Sequence, residues 1–175
     1  GYRKVPNTDC YVRRGYYAAY FTNYRAQFET ELRECVNSCG GEDTPCDVIL
    51  SGASQGAANA VVASMALFEE YDPYVFTLGG PRTFLPTSPF QKDKEVCQHV
   101  NREKQYHFVL TDSFKKVYDP TPYYYALWAK NVGQEVLFDG EGNFNHQGVE
   151  ETYLQKDGRD PTSLSIHTRW NYNVK

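Results

Sequence analysis

The stretch Gly52-Ala53-Ser54-Gln55-Gly56 constrains the fold more than any other part of this 175-residue sequence. Alone, G-x-S-x-G is a weak pattern; its position makes it informative. Before it runs Asp47-Val48-Ile49-Leu50-Ser51, a short apolar run that suits a buried parallel strand. After it, Gly56 to Tyr71 is rich in alanine and reads as a helix. A strand that passes into a helix through so few residues must turn sharply. Side chains flanking the serine are then expected to be absent, which accounts for both glycines. The serine hydroxyl should stand clear of the sheet at a helix N-terminus, where developing negative charge is favoured. Ser54 is thus the candidate nucleophile, and the backbone N–H of Gln55 is the candidate oxyanion donor.

The surrounding pattern predicts an α/β fold in one domain over residues 1–175, with a mostly parallel sheet flanked by helices. Tyr17, Phe21, Tyr24, Phe28, Leu32 and Cys35 form one helical stripe, so Gly15 to Cys39 reads as a long helix stopped by Gly40-Gly41. Tyr74 to Leu78 reads as a second buried strand, closed by Gly79-Gly80-Pro81. Tyr106 to Thr111 and Glu135 to Phe138 read as a third and a fourth. The stretch from Phe84 to Lys104 is proline-containing and highly charged, which predicts a surface excursion, and Asp139 to Asp160 reads mostly as loop.

A net charge of −4 argues against a nucleic-acid partner, which would call for a basic face. No apolar run reaches the length of a membrane span. The opening Gly1-Tyr2-Arg3-Lys4 lacks the apolar segment of a secretory leader, so a processed, mature chain is expected. Cys10, Cys35, Cys39, Cys46 and Cys97 show no ligand spacing for zinc and are expected in disulfides, hence in an oxidising, extracellular setting. Five is an odd number, so one thiol stays free or joins another chain. The many tyrosines, including Tyr123, Tyr124 and Tyr125, read as core and surface aromatics.

A nucleophilic serine needs a base. Of His99, His107, His146 and His167, the last follows the order serine, acid, histidine, and His146 in its Asn-rich loop is the second choice.

Several segments, in order, resemble the class 3 (fungal-type) lipase family. Val12-Arg13-Arg14-Gly15-Tyr16 resembles the family's V-H-x-G-F, and Val48 to Gly56 resembles its strand and G-x-S-x-G. Phe76-Thr77-Leu78-Gly79-Gly80-Pro81-Arg82 resembles T-F-G-x-P-R. Asp119-Pro120-Thr121-Pro122 resembles D-P-V-P, and Val132-Gly133-Gln134-Glu135-Val136 resembles H-x-G-x-E-V. Ser165-Ile166-His167 with Trp170 resembles the terminal D-H-x-x-Y. The resemblance implies an α/β-hydrolase fold and ester hydrolysis on lipids, at a lipid–water interface, by a Ser-Asp-His triad with no metal or organic cofactor. It implies His167 as base and Asp119 as acid. Asp112, at the end of the apolar run Tyr106 to Thr111, is the competing acid, with Ser113 to Tyr118 as an insertion between the two.

Three departures stand out. Ala53 replaces the usual histidine before the nucleophile, and Asn131 stands where the family often has histidine. The family's N-terminal third, which supplies early strands, the lid and the second oxyanion donor, has no counterpart here. A second chain from the same precursor, linked through Cys10, is therefore expected to supply it. The competing readings are a hydrolase-fold binding protein without catalysis, and a peptidase or thioesterase on the same fold. For the acid, Asp119→Asn should lower turnover on the order of 10⁴-fold, by losing the group that holds the histidine tautomer, while Asp112→Asn stays mild. Steady-state ester hydrolysis by the two variants checks this, and the reverse pattern selects Asp112.

Overall fold

The computed structural model of the chain describes residues 1–39, 46–85, 96–112, 116–117, 131–139 and 143–145. Among the described residues the centre is a six-stranded sheet. Strands β3 (Ile49–Ala53), β4 (Tyr74–Leu78), β6 (Gln105–Asp112) and β8 (Gln134–Asp139) run parallel and lie side by side in that order. Two short strands join antiparallel, β7 (Lys116–Val117) on β6 and β9 (Phe144–Asn145) on β8. Helix α3 (Gln55–Ala66) leaves β3 and packs across β3 and β4. Its small residues allow that approach: Ala57, Ala58, Ala60 and Ala63 are buried with Val61, Val62 and Met65. Strand β4 alternates as its sequence dictates, with Val75 and Thr77 buried and Tyr74, Phe76 and Leu78 half-buried.

The boundaries differ from the sequence reading in informative ways. The first central strand is Ile49–Ala53, so it carries Gly52 and Ala53 to the brink of the turn instead of ending at Ser51. It is not buried on both faces. It is outermost in its sheet among the described residues, and Ile49 is 63% exposed. The helix after Ser54 breaks at Leu67, and α4 (Phe68–Tyr71) ends on Asp72 in the left-handed conformation.

The described residues also form a second, three-stranded sheet that the alternation did not reveal. β1 (Tyr2–Lys4) and β2 (Tyr11–Arg13) form a hairpin, and β5 (Phe84–Leu85) adds to β2. The region read as a surface excursion is thus partly interior, because Phe84, Val96, Cys97 and Val100 are buried.

The long helix is in fact three segments: α1 (Arg14–Ala18), a π-helical turn (Ala19–Tyr24) and α2 (Arg25–Cys39). Glu29, which is buried, explains part of this shape. It accepts hydrogen bonds from the Tyr20 hydroxyl at 3.0 Å and Arg25 Nε at 2.8 Å, and Arg33 lies 3.6 Å away. Burial and then the neighbouring carboxylate raise the pKa of Tyr20, so its hydroxyl stays protonated as the donor.

Cys10 pairs with Cys97 and Cys39 with Cys46, leaving Cys35 free and exposed. The expectation that Cys10 binds a second chain is therefore corrected. The β1–β2 connection brings Cys10 within 4.9 Å, Cα to Cα, of Cys97, and both residues are fully buried. Asp9 fixes the same contact by accepting from the Gln98 N–H at 3.2 Å and pairing with His99 Nδ1 at 2.9 Å. Burial opposes the Asp9 charge, but these hydrogen bonds hold its carboxyl below the usual carboxylate range.

His107 lies inside the sheet. Its Nε2 is 2.8 Å from the Val132 carbonyl, which can only accept, so Nε2 carries the proton. Nδ1 then accepts from the Thr77 hydroxyl, 2.8 Å away. Burial lowers its pKa from the usual 6.5, against the opposing hydrogen bond to Val132. As pH falls through 6.5 the unfolded chain binds a proton that the folded chain refuses, so His107 contributes stability above that pH and loses it below. Unfolding free energy should drop by up to about 1.4 kcal/mol per pH unit below 6.5, with a shallower slope in His107→Gln. Denaturant melts from pH 7 to 5 check this; equal slopes in both proteins refute it.

Candidate active site

Ser54 sits between the last residue of β3 and the first of α3, at φ 52° and ψ −123°. A non-glycine residue in this region is strained by roughly 1–3 kcal/mol and persists only where its surroundings impose it. Two sets of contacts do so. The Ser54 N–H donates to the Leu78 carbonyl at the end of β4, at 3.1 Å, and the Ser54 carbonyl accepts from the Ala57 N–H at 3.1 Å. Gly52 supplies the second constraint. A Cβ there would fall under 3.0 Å from the Gly56 carbonyl carbon and oxygen, and 2.7 Å from the Ala57 nitrogen.

The two glycines of the motif are therefore not equivalent. Gly52 is demanded by space, whereas a Cβ on Gly56 would meet nothing within 4 Å among the described residues. The Gly56 carbonyl faces Gly52, while the direction a Gly56 side chain would take is open. The expectation that both positions must lack side chains for the same steric reason is corrected to Gly52 alone.

The Ser54 side chain makes no capping hydrogen bond to the helix it precedes, and the residue is half-buried. Its hydroxyl is thus not committed to capping. Gln55 is the first residue of α3 and is exposed. Its backbone N–H belongs to the turn whose donors have no intrahelical acceptor. The serine hydroxyl, the Gln55 amide and the positive end of a twelve-residue helix meet at one corner of the sheet.

Because β3, β4, β6 and β8 are parallel, their carboxyl ends lie along one edge. Ser54 follows the end of β3, Gly79-Gly80 the end of β4, and Asp112 is the last residue of β6. The backbone of Asp112 pairs antiparallel with that of Lys116, a residue of the segment read as an insertion. Asp119, His146 and His167 lie outside the described residues. The other two histidines are engaged elsewhere, His107 with Thr77 and Val132 and His99 with Asp9.

A mostly apolar cleft of about 420 Å³ runs beside the serine turn, with Phe76, Leu78, Phe108 and Phe138 on one side and Ser51, Gly52 and Ala53 of β3 on the other. Asp9, Cys10 and Cys97 gather ligand-type atoms, but both sulfurs are spent in the disulfide, so no thiolate is offered to a metal. The sequence reading did not single out Gly80. A Cβ on it would lie 2.6 Å from that of Ala57, and the only hint was its place in the Gly79-Gly80-Pro81 turn.

The family described as Lipase (class 3) matches residues 1–112 of the chain. The match includes the serine turn and Asp112; Asp119 and His167 lie beyond it. No curated protein sequence matches the chain. Among solved structures, the mono- and diacylglycerol lipase from Aspergillus oryzae aligns with a TM-score of 0.65 and 16% identity, over 95% of this chain and 61% of that one. The lipase from Rhizopus microsporus var. chinensis aligns at 0.63 and 16%, over 95% and 56%. Lipase II from Rhizopus niveus aligns at 0.58 and 19%, over 82% and 52%. At these identities the likeness is one of fold. This chain spans less than two thirds of the length of each.

Gly52→Ala tests the serine turn directly. The new methyl meets backbone, which cannot rotate away, so a loss of stability on the order of 2–4 kcal/mol is expected. A urea midpoint within error of the parent protein's would show that the strand and helix are less tightly apposed.

Proposed function

This chain belongs to the class 3 lipase family, and from that premise we propose that it hydrolyses carboxylic esters of lipids through an acyl-enzyme on Ser54. The observation that carries the reading is the strained serine at φ 52°, uncapped and held at the N-terminus of α3. In the proposed reaction His167 takes the hydroxyl proton as Ser54 Oγ attacks the ester carbonyl. Charge then collects on the carbonyl oxygen, facing the Gln55 N–H. Collapse of this intermediate expels the alcohol, which receives the proton from His167. Water, activated by the same histidine, frees the fatty acid and restores the serine. Asp119 holds the His167 tautomer and stabilises its charged form.

The apolar cleft beside Ala53 supports a hydrocarbon-bearing substrate, since Phe76, Leu78, Phe108 and Phe138 make up most of its wall and Ser51 is its one hydroxyl-bearing lining residue among those described. Two disulfides support an extracellular setting. A second polypeptide remains part of the proposal, without a link through Cys10. The outer edge of β3 has no strand partner among the described residues, which leaves its backbone open to a further strand.

Ser54→Ala should abolish ester hydrolysis by several orders of magnitude while leaving the fold intact, since only a hydroxyl is lost. A fluorophosphonate should label the parent protein at Ser54 and spare the variant, as intact mass would report. Labelling that persists in Ser54→Ala rules this nucleophile out. A parent protein that is never labelled, and hydrolyses nothing, selects the binding-protein reading.

A further inference from the structure

We propose that Gly80 and Ala57 are a size-matched pair that positions the Ser54 turn, so that the missing side chain at 80 is the counterpart of the methyl at 57. The inference rests on the reading of Ser54 as nucleophile. Both residues are buried, Ala57 to 1% exposure. They belong to different layers, Ala57 to the first turn of α3 and Gly80 to the loop that leaves β4.

Gly80 is not glycine for conformational reasons. Its neighbour Gly79 has φ 54°, but Gly80 is outside the left-handed region. Space is what excludes a side chain. A Cβ on Gly80 would sit 2.6 Å from the Cβ of Ala57, closer than such atoms pack, while Thr77 Cβ and Oγ1 would lie at 3.6 and 3.7 Å, ordinary contact distances. One methyl therefore fits between the β4 loop and α3, and it is attached to Ala57. Moved to position 80, with glycine at 57, it would still fit. Placed at both, it forces the layers apart by roughly 1 Å to restore contact distance.

Neither layer can yield without disturbing the serine. On the sheet side, the Gly79 N–H donates to the Phe108 carbonyl at 3.0 Å, and the Leu78 carbonyl receives the Ser54 N–H. On the helix side, the Ala57 N–H is bonded to the Ser54 carbonyl. A push on Ala57 thus passes through one hydrogen bond to the peptide that joins Ser54 to Gln55. That peptide carries both the strained nucleophile and the candidate oxyanion amide. Ala57 and Gly80 are positioning residues, since neither side chain is placed to touch substrate.

The test compares the parent protein, Gly80→Ala and the double variant Gly80→Ala/Ala57→Gly by kcat, KM, fluorophosphonate labelling rate per folded molecule, and melting temperature. A misplacement of this size costs on the order of 10²-fold in turnover. Gly80→Ala is therefore expected to lose 10- to 100-fold in kcat and in labelling rate with KM nearly unchanged, and the double variant to recover to within about threefold. If Gly80→Ala fails to fold, recovery of folding and labelling in the double variant reads the same coupling. A Gly80→Ala protein as active as the parent, or a double variant no better than the single, overturns the pair. A parent protein that does not label at Ser54 overturns the nucleophile reading instead, and is told apart because melting temperatures still report whether 57 and 80 are coupled.

Discussion

Strand β3 and helix α3 approach so closely that Gly52 rests against the backbone of Gly56 and Ala57, and the arrangement of the carboxyl edge follows from that contact. With no room for a methyl between them, strand and helix are joined through a single residue. That residue must take a positive φ, and the sheet must supply the Leu78 carbonyl to hold it there. The serine hydroxyl is then left over, neither capping the helix nor buried in the sheet. Strain at Ser54 is a consequence of tight packing elsewhere, and a roomier strand–helix crossing would release it.

That packing was legible in the sequence because it is local. A glycine two before a serine, an apolar run before it and an alanine run after it are all within about twenty residues. The four parallel strands were legible for the same reason, since each is an apolar run bounded by turn residues. What escaped was nonlocal. The hairpin Tyr2–Lys4 with Tyr11–Arg13 is short and polar, and it is stabilised by Phe84–Leu85 and by Cys97, more than seventy residues away. No pattern inside residues 1–14 announces those partners. The pairing of five cysteines is open for the same reason, and the odd thiol proved to be Cys35.

The helical stripe shows a different kind of failure. A strict 3.6-residue period assigns Tyr24 and Cys35 to the buried face. In the structure Tyr20 is buried, Tyr24 is 50% exposed, and Val36 packs on the core with Phe28 and Leu32. The π turn over Ala19–Tyr24 is wider than an α turn, so it re-phases the face on either side of it. Tyr20 and Glu29 reward that shift with a buried hydrogen bond, and their spacing of nine residues has no recognised helix signature. Order along the chain nominates His167 as base, and the resemblance of Asp119-Pro120-Thr121-Pro122 to D-P-V-P nominates Asp119 as acid, but spatial proximity is what a proton relay requires, and neither signal supplies it.

The Cys10–Cys97 bridge also has a meaning in time. Each strand of the central sheet after β3 pairs with one made before it, so it can dock as synthesis proceeds. The strands of the small sheet pair in chain order too, but its disulfide must wait. Cys10 leaves the ribosome 87 residues ahead of its partner, a wait of roughly 4 to 17 s at ordinary elongation rates. During that wait Cys35, Cys39 and Cys46 emerge first, each a competitor for the same sulfur. The native bond therefore calls for an early hairpin that shelters Cys10, or for an isomerase that corrects the first pairing. The β1–β2 hairpin, with Cys10 just ahead of β2, is the part of the fold on which that choice falls.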